Sequence, residues 1–148
     1  MSVLSSHQLI SFSFILIFSL ILSIQDLKRQ SVKLYIQVIS ILCALICQMV
    51  YLRAGSLIYI LSSLLMVGFY FAVRKITKGK LGMADVCFGF FQGLFLMPFF
   101  IPVCLGIESL AALVINKRFG KKKFAFIPFM SVGLITSFLI EAGVAGGV

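Results

Sequence analysis

Charge is what this sequence has least of. Of its 148 residues 11% are charged and 61% are hydrophobic, and the mean hydropathy is +1.18. A domain that folds in water carries roughly a quarter charged residues, so a soluble globule is excluded and most of the chain must sit in lipid. Histidine occurs once, as His7. It precedes the first apolar run, where we expect it to be solvated. No C-x-x-C pair exists, which removes the usual structural zinc and redox centres. Cys43, Cys47, Cys87 and Cys104 all lie in apolar segments and read as small buried hydrophobes. Cys43 and Cys47 share a helix face, but no histidine or carboxylate accompanies them, so neither a metal nor a cofactor is expected. A basic start is missing too: the polar lead Ser5, Ser6, His7 and Gln8 has no lysine or arginine, and no small-x-small site precedes Gln25. Residues 1–24 therefore read as a retained span, not a cleaved signal peptide. Internal repeats, low-complexity linkers and a soluble domain are likewise absent, leaving one membrane-embedded domain over residues 1–148.

What is present is a series of apolar runs. Measured against the ~20 residues that a spanning helix needs, they predict an all-α polytopic bundle of about six transmembrane helices, at 9–24, 34–52, 56–73, 84–97, 99–115 and 124–140. The fourth is short. Pro98 and Pro102 interrupt a stretch too long for one span, which places a tight turn near Pro98.

A net charge of +9 could suggest nucleic acid, but its distribution argues against that. Lys28, Arg29 and Lys33 follow the first span. Arg74, Lys75, Lys78 and Lys80 follow the third, and Lys117, Arg118, Lys121, Lys122 and Lys123 follow the fifth. Only Arg53, of 13 basic residues, lies in another loop. Basic residues accumulate on the cytoplasmic side of a membrane, so these three loops are predicted inside and both termini outside. The partner implied is the lipid bilayer. Tyr35 and Tyr70 then fall near the inner boundary and Tyr51 and Tyr59 near the outer one, as amphipathic rings prefer.

Only four acidic residues remain: Asp26, Asp85, Glu108 and Glu141. Asp26 ends the first span and Asp85 begins the fourth, so the predicted topology puts both carboxylates at one membrane face. Two adjacent carboxylates do not both ionise readily and come to share a proton. That is the chemistry of aspartyl proteolysis, in which one acts as base on water and the other polarises the scissile carbonyl. The plainer reading is that Asp26 caps its helix beside Lys28 and Arg29, while Asp85 sits at a helix start favoured by the dipole. Gly89 and Gly93 follow Asp85 at four and eight residues, with Gln92 close to the same face. Small residues at that spacing admit a neighbouring backbone in lipid, so Asp85 is expected on a face directed at protein.

Three short motifs resemble the type IV prepilin peptidases, a family of GxGD-type intramembrane aspartyl proteases. They are Asp26-Leu27-Lys28-Arg29-Gln30-Ser31-Val32-Lys33 after the first span, Gly82-Met83-Ala84-Asp85-Val86 opening the fourth, and Pro128, Phe129 and Gly133 in the last. The resemblance implies that Asp26 and Asp85 are catalytic, that Gly82, Ala84 and Gly89 shape the site, and that prepilin-like membrane proteins are the substrates. Their basic leader peptide would be cut on the cytoplasmic side of the cell (inner) membrane, without a metal. Ala84 stands where the family has its second glycine, and Val32 and Lys33 stand where it has Pro-Asn. The cysteine-bearing domain that accompanies N-methylation in longer members is missing, so no methyltransferase activity is expected.

Two other classes stay open. A small transporter or channel could use Asp85 and Glu108 with Gln92, and the departure at Ala84 leaves room for a non-catalytic, protease-derived assembly subunit. Glu108 lies eight residues before Asn116, roughly 12 Å along a helix at 1.5 Å per residue. Its expected state is a buried acid bonded to a neighbouring helix. Glu141 is expected to be solvated.

Overall fold

A computed structural model describes residues 6–29, 32–119 and 126–146, and among these every regular element is helical. The order is α1 (Ser6–Arg29), α2 (Leu34–Leu52), α3 (Ser56–Ile76), α4 (Met83–Gly93), α5 (Ile101–Phe119) and α6 (Ile127–Gly146). Single 3-10 turns, Arg53–Gly55 and Pro98–Phe100, lead into α3 and α5. Gln30, Ser31 and Lys121, Lys122 and Lys123 lie outside the described residues.

Five of the helices are long and apolar enough to cross a membrane. Their surfaces explain why the chain is a multi-pass membrane protein. Large apolar side chains such as Ile17, Leu20, Leu61, Ile76, Leu110 and Phe99 face outward, while Ser11, Gln37, Ser40, Gln48, Ser62, Ser63 and Gln92 are buried. In water this arrangement would be unstable. In hydrocarbon it is favourable, because polar side chains find partners only inside the bundle.

The exception in length is α4. Its 11 residues extend about 16 Å at 1.5 Å per residue, too short to cross by itself. The predicted span 84–97 is therefore a short helix continued by an irregular segment, and a 3-10 turn begins at Pro98, where the sequence places a tight turn. Lipid does not tolerate such a segment unless protein surrounds it. Here Phe88, Phe91, Leu94, Phe95 and Leu96 are all buried, with α3, α2 and α6 packed around α4. Gln48 of α2 donates its Nε2 to the Leu94 carbonyl at 2.5 Å, satisfying a main-chain acceptor just past the helix end. The outer pairs are α1 with α6 and α2, and α5 with α6.

The closest approach joins α3 to α4. A Cβ at Gly93 would come within 2.6 Å of the Ser63 nitrogen and 2.8 Å of the Ser62 carbonyl carbon, both main-chain atoms. At Gly89 it would meet the Tyr70 ring, 2.8 Å from Cε2. The glycines at i+4 and i+8 from Asp85 thus admit α3, as their spacing predicts.

Candidate active site

Asp85 is the third residue of α4 and its position is set by the chain that precedes it. α3 ends in a tight reversal: Lys78 and Gly79 have φ of 53° and 79°, and the Gly79 N–H returns to the Arg74 carbonyl at 2.9 Å. Positive φ at Gly79 costs little because there is no Cβ. Arg74 then donates from Nη1 to the Leu81 carbonyl at 3.1 Å, tying the strand of chain that enters α4 to the end of α3. Asp85 closes the first turn by accepting the Gly82 N–H on Oδ2 at 3.0 Å, the reach-back by which an acidic residue at the third position satisfies a free helix-start donor. Gly82 itself has an ordinary extended φ of −67°. What matters there is space, since a Cβ would sit 3.2 Å from Asp85 Oδ2.

Asp26 is buried, at 8% exposure, in the last turns of α1. Its Oδ2 accepts the Ile127 N–H at 3.1 Å, and the main chain at Phe126 also bonds to it. Ile127 opens α6, and Pro128 follows at the second helical position, where the missing N–H costs nothing. The carboxylate of α1 thus serves as the cap that α6 lacks in its own sequence. Lys28 and Arg29, two and three residues further on, are exposed.

Asp26 and Asp85 lie close enough for the charge on Asp26 to act on Asp85. Two helix ends remote in sequence therefore bring the pair to one end of the bundle. Each carboxylate is held by main-chain amides, which fixes its orientation. Beside them, Ala84 is half-buried and its carbonyl accepts Gln37 Nε2 of α2 at 2.5 Å. Gln37, 1% exposed, is a site-shaping residue that the motifs did not point to. A glutamine inside a mostly apolar helix was the available signal.

A second polar group lies deeper. Glu108 of α5, 2% exposed, accepts the Tyr70 hydroxyl of α3, Gln92 Nε2 of α4 at 2.5 Å and the Cys104 thiol at 3.2 Å. Gln92 also donates to the Met130 carbonyl of α6 at 2.9 Å. Gly133 leaves room for the acid, because a Cβ there would be 2.6 Å from Glu108 Cγ. Glu108 is thus the buried acid bonded between helices that was expected. Tyr70 departs from expectation: it is buried inside the bundle, not lodged at a lipid boundary, and stands within electrostatic reach of Asp85.

Two further expectations fail at the other end of the molecule. Glu141 is buried and accepts the Met97 N–H at 3.1 Å, and His7 Nε2 lies 3.2 Å from Gln48 Oε1. Glu141 is drawn inward because the irregular segment after α4 presents main-chain groups that the bundle must satisfy, while His7 is held by the Gln48 side chain. Among the described residues no group of three or more histidine, cysteine, aspartate and glutamate residues forms a metal-binding cluster.

No protein family, curated protein or solved structure matches this chain.

Proposed function

We propose that this protein is an intramembrane aspartic endopeptidase that removes the leader peptide of prepilin-like precursors at the cytoplasmic face of the cell membrane. The observation that carries the reading is that Asp26 and Asp85 lie at one end of the bundle, each bonded to the main chain and within electrostatic reach of one another. Three motif positions support it: Asp26, Asp85 with the Gly82 amide it accepts, and Pro128 beside the Ile127 amide that Asp26 accepts.

The chemistry requires one shared proton. The ionised aspartate takes a proton from water as the water oxygen bonds to the scissile carbonyl carbon. The protonated one gives its proton to the carbonyl oxygen. In the gem-diol that forms, one hydroxyl returns a proton to the second aspartate while the C–N bond breaks, and the first aspartate protonates the leaving amine. Both carboxyls are then restored and the acid and amine products depart.

The transporter reading through Asp85 and Glu108 fits less well, because the Glu108 oxygens are already engaged by Tyr70, Gln92 and Cys104. The test is co-expression with prepilin-like substrates, reading leader removal by gel shift and mass. Wild type and Glu108→Gln are expected to cleave. Asp26→Asn and Asp85→Asn are expected to lower the rate by at least 1,000-fold, on the order of the loss when a general acid or base is removed. Cleavage that survives either aspartate substitution would overturn the proposal.

A further inference from the structure

At the end of the bundle remote from Asp26 and Asp85 lies a cavity of about 340 Å³, at the small end of the range of roughly 300–1,000 Å³ typical of small-molecule sites. His7, Tyr59, Phe95, Phe100, Phe138 and Glu141 are among the residues that line it, so α1, α3, α6 and the turn after α4 all contribute. We propose that this cavity binds an organic ammonium group, with Glu141 as its counter-ion.

The charge balance of the wall gives the sign of the ligand. Glu141 is the one acid among the lining residues, and none of them is a lysine or arginine. Arg53, the basic residue in the turn at this end, is not part of the wall. Glu141 is nine-tenths buried and held in place by the Met97 N–H and by the Tyr59 hydroxyl. Those two donors use part of the acceptor capacity of a carboxylate, which can take about four hydrogen bonds.

The remaining wall distinguishes an ammonium from a metal ion. Calcium asks for six to eight oxygens and magnesium for a near-ideal octahedron. Here the other polar groups are committed elsewhere: Gln48 gives its Nε2 to Leu94 and its Oε1 to His7, and Ser11 also contacts His7. Because the Leu94 bond fixes the Gln48 amide, Oε1 can only accept, so His7 donates to it from Nε2. One carboxylate, an imidazole already bonded to Gln48 and aromatic rings make a poor metal shell. They suit an alkylammonium, which takes hydrogen-bond acceptors on its N–H groups and aromatic faces against its charge. The amine could come from a phospholipid headgroup or from a free small molecule, and the chemistry of recognition is the same.

His7 is the only histidine in the chain, so its imidazole NMR signals assign themselves and report on the cavity. The full chain in phosphatidylglycerol nanodiscs is titrated with ethanolamine, and with ethylene glycol as a neutral analogue. We expect a saturable shift of the His7 signals with ethanolamine, none with ethylene glycol, and an affinity at least tenfold lower in Glu141→Gln. Phosphatidylethanolamine nanodiscs that reproduce the shifted spectrum and block free ethanolamine would assign the amine to lipid. If they do not while free ethanolamine binds, the ligand is a free amine. The proposal is overturned if ethanolamine gives no saturable shift, if ethylene glycol binds equally, or if Glu141→Gln binds as tightly as wild type. Should Glu141→Gln not fold, Phe100→Leu keeps the carboxylate and removes an aromatic face, with a threefold or greater loss expected and an unchanged affinity overturning the proposal. Leader cleavage is a separate readout at the other end of the molecule, so the two proposals fail independently.

Discussion

Ala84 is where the chain departs from the motif it resembles, and its surroundings show what a methyl group does there. The residue sits in the first turn of α4, with its carbonyl taken by Gln37. Alanine favours the helix that carries Asp85, whereas glycine would cost about 1 kcal/mol through added backbone freedom in the unfolded chain. Ala84→Gly is therefore expected to lower the thermal midpoint of the purified protein by a few degrees while leaving leader cleavage close to wild type. Cleavage that rises despite the lost stability would show instead that the methyl crowds the substrate. The two aspartates were legible in the sequence because acids in apolar runs are expensive and few. Tyr70 was not. Position within a run tells how deep a side chain lies but not which way it points, and Tyr70 points to Glu108 and away from lipid.

Helix pairs carry the next level of the design, and the most exacting pair is α3 with α4. Main-chain atoms of Ser62 and Ser63 occupy the space that a side chain at Gly93 would need, and a backbone cannot swing aside as a flexible side chain can. Gly93→Ala must push the two helices apart. The expected cost is about 3 kcal/mol, at the upper end for overpacked interiors, read as a loss of thermal stability and of folded yield in detergent. A stability equal to wild type would mean that the helices can separate freely. At this scale the sequence was informative about position: the predicted span 34–52 coincides with α2, and Pro98 opens the 3-10 turn that leads into α5. It was less informative about α4, since an apolar run of adequate length does not reveal where helical hydrogen bonding ends. The early end at Gly93 depends on tertiary partners such as Gln48.

The molecule as a whole keeps its buried polar side chains within a largely apolar core and turns an apolar surface outward, and its proposed orientation rests on the basic loops. Lys78, after α3, and Arg53, after α2, lie in successive connections, so they should face opposite sides. A membrane-impermeant thiol reagent is expected to label Lys78→Cys from the cytoplasmic side and Arg53→Cys from the outside, each above the background of the native cysteines. Labelling of both from one side would refute the topology. The bundle also imposes an order in time. Asp26 belongs to α1, which leaves the ribosome well before α6, yet the amide that fixes its carboxylate belongs to Ile127 at the start of α6. The pair of acids can have its final geometry only after that late helix has been made and has docked. Under the proposed function, a newborn chain would hold an unfinished site until α6 docks, and its assembly would itself restrain premature cutting of neighbouring membrane proteins.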